Sequence, residues 1–405
     1  MSRDGGPAAI GGEPRPFFGA LGVVVFFSTF SIAGTQTALG AAAVLWAAFV
    51  LRGRLPAPRR TPLDLPILLF ALACLISALA SAEPVASLEG SKNLLLAGAI
   101  YLFAYGISTR AAGRRLFAVL LISGAASSLF GVAVFALGRG EGTLGRTPGT
   151  FSTAMTFGGI TLVLSSLFAA VAAGAGIDRR ARVAAGAAAV ASLAALFFSF
   201  TRSSWLGMVV AGAVVLSLLR RRWLVPFAAS LVLFAFLLPA PYRARVESIW
   251  NPAHRTNVQR VELARGGWSI FKEHPLLGVG TRDLAGLYRE HMPPGTVHVH
   301  GHMHNIFLQV AVQTGVVGLA AFAYLLVSFF VLVAGNLKLD LPPPERAFAA
   351  GSLAALAGFV VNGLFEWNFG DAEVVTMIYV VVGANAALRR MHPLAHGGRR
   401  PSPPQ

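Results

Sequence analysis

The sequence predicts an all-α polytopic membrane protein, with about twelve transmembrane helices and one long external loop containing an amphipathic helix. Three observations carry this. Apolar residues fill 55% of the 405 positions and charged ones only 12%, far below the charged share of an ordinary water-soluble domain. The apolar residues gather in recurring blocks of roughly 17 to 25, the length a helix needs to cross a bilayer. The blocks are rich in Leu, Val, Ala, Phe and Gly and lack the period-two alternation of barrel strands, so each must satisfy its own backbone as a helix.

Spans are expected near 17–33, 37–51, 65–81, 93–108, 115–137, 151–174, 182–200, 203–219, 223–240, 306–335, 347–365 and 373–388. The formal charge of +16 is explained by topology. With the N-terminus cytoplasmic, the inside segments carry 21 Lys and Arg, in clusters such as Arg52 to Arg60, Arg110 to Arg115, Arg179 to Arg182 and Arg220 to Arg222. The short outside loops carry only Lys92, Arg139, Arg146 and Arg202. This alternation is the positive-inside pattern, puts both termini in the cytoplasm and leaves no concentrated basic surface for nucleic acid. The first span follows a polar stretch but is followed at once by a second, so it reads as an uncleaved helix. Cys74 is the single cysteine, which excludes an intrachain disulfide and a thiolate metal cluster.

The chain therefore divides into a bundle over 1–240 (about nine spans), an external loop over 241–305, a second bundle over 306–390 (about three spans) and a cytoplasmic tail over 391–405. The loop is the largest polar territory and holds seven of the nine histidines, eight basic and five acidic residues. Its stretch 258–273 has helical periodicity, with Val261, Ala264, Trp268 and Phe271 on one face, and is expected to rest on the membrane interface. Thr256 and Asn257 stand where capping residues would. Pro275 stops this helix, the run Leu276 to Gly280 reads as a turn, and Pro293-Pro294-Gly295 marks another. The Pro-rich stretches Pro56 to Pro62, Pro342 to Pro344 and Pro401 to Pro404 read as linkers or tail.

Two constellations could carry chemistry. In the first, His298, His300, His302 and His304 alternate, followed by Asn305 and the apolar run that opens the tenth span. Alternation puts four imidazoles on one side of an extended segment, a pattern suited to a transition metal. With no carboxylate within six residues, a metal would need partners from elsewhere, and no metal or other cofactor is expected. The alternative is a general base: His304, at the helix mouth, is the residue that meets water, with His302 beside it. Asn305 either orients His304 or caps the helix. Gly315 lies about 16 Å below His304 at the α-helical rise, so Gly315 and Gly318 are expected near mid-membrane, admitting a neighbouring helix or a lipid chain.

The second constellation is cationic. Arg202 sits at an outside helix junction, against the inside bias, where it either snorkels to lipid phosphate or binds a specific phosphate. Arg260 and Arg265 lie on the amphipathic loop helix, and guanidinium forks bind phosphate oxygens bidentately. External arginines, a histidine at a helix mouth and a lipid-accessible notch suit a diphosphate on a long hydrocarbon tail. No nucleotide-binding fingerprint is present. A transporter for such a lipid would also be a large basic bundle, but it should carry ionisable groups at the midplane. Here the spans are nearly free of them, and Glu366, Asp371 and Glu373 gather at an outside end.

At these residues the chain resembles the O-antigen ligase and polysaccharide polymerase superfamily of bacterial inner membranes. The hallmark of that family is a histidine with Asn, Ser or Gln, nine residues, then Gly-x-x-Gly, and His304-Asn305, Gly315 and Gly318 match it. Thr201-Arg202-Ser203 with Trp205, and Arg260-Val-Glu-Leu followed by His274 to Gly280, resemble two further family blocks in the same order. The family often has Trp soon after the loop arginine, where this chain has Ala264 and then Trp268, so Arg260 and Arg265 both stand as the loop candidate. The resemblance implies inverting, metal-independent glycosyl transfer on the periplasmic face. The donor would be an undecaprenyl-diphosphate-linked glycan and the acceptor a sugar such as lipid A core; polymerisation and protein O-glycosylation are the alternatives. It further implies that Arg202 with Arg260 or Arg265 holds the diphosphate, that His304 acts on the acceptor hydroxyl, and that membrane lipid surrounds the bundle.

Overall fold

Every apolar block becomes helix, but the blocks are not equal in length. The computed structural model describes residues 14–55, 57–58, 60–142, 145–292 and 301–392. His298, His300, the turn at Pro293 to Gly295, Pro56 and nearly all of the tail lie outside the described residues. In chain order the helices are α1 (Arg15–Phe27), α2 (Ile32–Leu51), α3 (Asp64–Ala80), α4 (Pro84–Gly90), α5 (Gly98–Gly106), α6 (Arg110–Ala136), α7 (Ala154–Ala173) and α8 (Arg179–Phe198). There follow α9 (Arg202–Leu219), α10 (Leu224–Leu237), α11 (Ala240–Glu247), α12 (Arg255–Glu273), α13 (Ala285–His291), α14 (Ile306–Asn336), α15 (Pro343–Gly363) and α16 (Ala372–Met391). No strand forms among the described residues.

Among the described residues, eight helices are long and apolar enough to cross a membrane: α2, α6, α7, α8, α9, α14, α15 and α16. α1 and α3 are apolar but shorter, and α10 has 14 residues. The block near 93–108 is split, with a tight 3-10 turn at Ser91–Ala97 leading into the short α5. Hydropathy registers apolar length and not where the chain tightens, so it counts these pieces as whole spans.

Packing sorts the helices into a centre and a rim. The apolar window of α7 is 89% buried and those of α16 and α15 are 72% and 67%, whereas α2, α6, α8 and α9 lie near 30% and turn Leu, Val and Phe side chains outward. Such an apolar rim on a helical bundle is a lipid-facing surface. Close approach at the centre depends on small residues. A Cβ built on Gly207 of α9 would come within 2.6 Å of the Gly358 carbonyl of α15, and one on Gly358 within 2.9 Å of the Gly207 carbonyl.

α14 is the element that positions the site, and it is not the straight rod expected. Gly315 has φ 65° and ψ −168°, which breaks the helix there. The turn after Pro275 fills the break: the Val279 and Gly280 amides donate to the carbonyls of Val312 and Gln313, and the Val316 amide donates to that of Pro275. Gly315 tolerates the left-handed backbone, and a Cβ on it would collide with the Leu276 carbonyl. The expected lipid-facing notch is therefore filled by the protein itself, by the loop carbonyl of Leu276 at Gly315 and by the Thr314 side chain at Gly318, and both glycines are buried. The expected mid-membrane depth also changes. The helix beyond Gly315 is about 33 Å long, enough by itself for a hydrocarbon core of about 30 Å, so the turns before the break are in excess of a span.

The loop is correspondingly more than a flap. Leu263 and Ile270 of α12, Val279, Leu284, Tyr288 of α13, Met303 and Val312 of α14 form a small core of their own. α12 buries Leu263, Gly266, Gly267 and Ile270, leaving Val261 and Trp268 exposed. The apolar face expected at the interface is thus the uncovered one.

Candidate active site

His304 is delivered by the way α14 begins. Asn305, extended at φ −156°, caps the helix: its Oδ1 accepts from the Phe307 and Leu308 amides, both at 2.9 Å, and its Nδ2 donates to the Leu364 carbonyl at 3.0 Å. The chain must turn sharply to enter this cap, and His304 absorbs the turn at φ 48°. Histidine is among the few residues enriched there, but the conformation is strained, and such strain gathers at functional sites.

The partner of His304 is a residue that its neighbours in sequence do not reveal. Its Nδ1 lies 2.9 Å from Glu366 Oε1, in the connection between α15 and α16, and both side chains are about nine-tenths buried. The carboxylate oxygen accepts, so Nδ1 is the donor and Nε2 is the ring nitrogen turned away from the carboxylate. Burial pushes the Glu366 carboxyl up, but the hydrogen bond from His304 and the fields of His304, His302 and Arg260 outweigh it and hold the group below its ordinary range. Oε1 also accepts from the Trp367 amide at 3.1 Å, while Oε2 is buried without a hydrogen-bond partner among the described residues. The His302 ring meets that of His304 edge to face at 4.3 Å. His302, His304 and Glu366 each offer a ligand atom within 4.8 Å of the others, so the carboxylate that the histidine run lacked locally arrives from the far end of α15. This trio is the place where a metal ion could be held.

Four arginines gather near this pair, two of them not singled out in the sequence. Arg146, Arg202, Arg245 and Arg260 are close enough to act on one another electrostatically, and the field of Glu366 reaches Arg146 and Arg260. Arg202 is buried, and its fork donates to the Ser248 carbonyl at 2.6 Å, to Ser248 Oγ at 3.0 Å, to Thr256 Oγ1 at 2.5 Å and to Asn257 Oδ1 at 2.9 Å. Thr256 and Asn257, expected as caps, are thus the anchors of Arg202, and α12 begins earlier, at Arg255, without a side-chain cap. Arg245 donates to the Phe200 carbonyl, and Arg146 to the Ser199 carbonyl and Thr201 Oγ1. Phe200, at φ 51°, turns its carbonyl into this cluster.

Arg260 differs from the other three. It is half-buried, with no hydrogen bond to its guanidinium among the described residues. Burial lowers its proton affinity and Glu366 partly restores it. Arg245 is pushed down to about 10, by burial first and then by Arg202, Arg146 and Arg260, and so stays cationic at neutral pH. Arg265 is exposed, on a different face of α12 from Arg260. The structure therefore brings His302, His304, Asn305, Arg202 and Arg260 into one region and leaves Arg265 out of it. Glu366, Arg146 and Arg245 are the residues that sequence reasoning passed over. Arg146 and Glu366 were legible only as charges near span ends, and Arg245 only as one of eight basic residues in the 241–305 segment.

The arrangement can accept a proton at a histidine oriented by a carboxylate and can offset negative charge at a buried cationic cluster. Fold and site together define a multi-pass helical membrane protein with a histidine–carboxylate pair beside a cationic cluster at one end of the bundle. A family model described as O-antigen ligase matches residues 187–323, from within α8 to the middle of α14. The match takes in Arg202, Arg245, Arg260, the turn after Pro275, His304 and Gly315, and supports placing the chain in the O-antigen ligase superfamily. The match covers about a third of the chain, and the family it names suggests glycosyl transfer in O-antigen or polysaccharide assembly. No curated protein matches the chain.

Proposed function

We propose that the protein transfers a glycan from undecaprenyl diphosphate to an acceptor sugar at the periplasmic face of a bacterial inner membrane, with both termini cytoplasmic. Ligation of O-antigen to lipid A core is the foremost reaction; polymerisation and protein O-glycosylation differ only in the acceptor. The observation that carries this is the buried His304–Glu366 pair at 2.9 Å beside four arginines.

In the step, the acceptor oxygen attacks the anomeric carbon opposite the leaving group. The bond from that carbon to the diphosphate oxygen breaks, its electron pair leaves with the diphosphate, and the anomeric centre inverts. The hydroxyl proton passes to His304 Nε2, while Glu366 accepts Nδ1–H and stabilises the imidazolium. Arg260, whose fork is not committed to protein acceptors, takes the diphosphate charge, with Arg146 and Arg245 adding field. Arg202 acts one layer back, tying Ser248, Thr256 and Asn257 together so that the first turn of α12 presents Arg260. Both roles are filled by side chains, so the chemistry proposed is metal-independent.

The test is to incubate the protein, purified in lipid nanodiscs, with lipid-linked glycan and in turn with lipid A core, a second glycan and an acceptor protein. Glycan should appear on lipid A core with wild type and not with His304→Ala. Undiminished transfer by an inserted His304→Ala protein would overturn the assignment, and a product on glycan or protein would move the acceptor.

A further inference from the structure

A cavity of about 310 Å³ lies beside His302 and contains none of the four clustered arginines. It is bounded by α3, the 90–94 turn, the 281–283 segment, the first turns of α14, the 367–370 connection and α16. Its lining joins two kinds of surface. Phe70, Trp367, Phe369 and Tyr379 supply aromatic faces, while Asn93, Gln309, Gln313 and Asp283 supply amides and a carboxylate. Gln313 is only 9% exposed, yet its side-chain amide makes no hydrogen bond among the described residues. A buried amide has donors and acceptors that need partners, and here they border an open space.

We infer that this cavity is the acceptor subsite and that it takes a single pyranose ring. This rests on the glycosyl-transfer reading and names its acceptor class as a sugar hydroxyl rather than a protein side chain. A pyranose has apolar C–H faces that lie on aromatic rings and hydroxyls at its rim that pair with planar amides. The volume is at the lower end of small-molecule sites, about 300–1,000 Å³, and suits one ring rather than an oligosaccharide. The charge excludes the donor's diphosphate: the one cationic lining residue, Arg282, is already paired with Glu83. The polar wall disfavours a prenyl tail. Position completes the case. His302 borders the cavity and meets His304, and Trp367 borders it and donates its amide to Glu366, so one residue separates the cavity from each member of the acid–base pair.

The experiment uses the full chain in nanodiscs without donor, titrated with the methyl glycosides of glucose, galactose and N-acetylglucosamine while tryptophan fluorescence is followed. At least one glycoside should give a saturable change that Trp367→Phe removes, that Gln313→Leu weakens tenfold or more, and that His304→Ala retains. Should Gln313→Leu fail to insert, Gln313→Met removes the same amide with an unbranched chain. With donor present, the Gln313 variant should raise acceptor KM tenfold or more while donor KM and kcat hold. Absence of any saturable glycoside signal, equal binding by the Gln313 variant, or a rise in donor KM instead would overturn the subsite. Glycoside binding that depends on Gln313 in a protein that transfers no glycan would instead sink the transferase reading and leave the sugar pocket standing.

Discussion

The two ends of the bundle use the same residue types to opposite effect. At the end bearing Arg110, Arg114, Arg115, Arg179 and Arg180, the guanidinium groups are exposed. Their ion pairing is loose: Arg110 reaches Glu345 at 3.4 Å with over half its side chain exposed, while the mostly buried His392 meets the same carboxylate at 2.7 Å. At the other end Arg202 is buried, Arg146, Arg245 and Arg260 are half-buried, and no carboxylate lies within ion-pair distance of any of them among the described residues. Exposed charge at a helix end is cheap and sets orientation. Buried, mutually repelling charge opposes folding unless something else keeps it, and the diphosphate of the proposed donor would be the reason to keep it. The difference teaches that topology accounts for one set of arginines and chemistry for the other, although composition counts them alike.

The comparison is broken first at the acid–base pair. His304→Ala should lower kcat by about 10²–10⁴-fold, the usual contribution of a positioned general base, with insertion unchanged. Glu366→Gln keeps the shape and removes the charge, and should fall between that variant and wild type. The Glu366 carboxyl is held below its ordinary value in the folded protein. Its stabilising contribution is therefore fully present above that ordinary value and is lost as pH falls through the lowered one. Thermal stability measured against pH should fall in acid for wild type and less steeply for Glu366→Gln.

The second effect is structural. Gly315→Ala forces a side chain into a left-handed backbone and against the Leu276 carbonyl, and should destabilise by about 2–4 kcal/mol, read as a lower Tm and loss of transfer. Arg260→Ala should come third, with donor KM raised about 10–100-fold, while Arg265→Ala stays within about twofold. Equal losses would erase the distinction between these residues. Pyrophosphate should raise the Tm of wild type, by about 2.7 kcal/mol of stabilisation at roughly 100 times its Kd, and do so weakly in Arg260→Ala. The smallest effect belongs to the other end: Arg110→Ala should change stability by no more than about 1 kcal/mol and leave both KM values alone.

Much of this was legible in the sequence. Each apolar block is helix, Arg202 and His304 approach one region from separate junctions, and Asn305 is a cap because its side chain and position allow little else. What could not be read depends on contacts between distant residues. Glu366 stands sixty-two positions from His304 and carries no local motif. The pattern of Gly315 and Gly318 fits helix packing as well as it fits a break, and only the turn after Pro275 decides between them. Thr256 and Asn257 suit a cap and a guanidinium equally, and the long-range partner won. Eight helices reach the length of a span among the described residues, and hydropathy adds α1, α3, α5 and α10 because they are apolar without being long.

Asn305 and Gly315 give the helix start a phase. The segment between them is helical, begins at a cap fastened to the Leu364 carbonyl and ends where the turn after Pro275 is clamped. Its length is therefore a screw setting: one residue added or removed would rotate the His304 end by about 100° and shift it by about 1.5 Å relative to the clamp. Glu366 follows just beyond Leu364, so His304 would then swing away from the carboxylate it faces. A single alanine inserted anywhere between Ile306 and Thr314 should abolish transfer even though it touches neither residue. The interval between the histidine and the first glycine reads as the thread count that keeps the base in register.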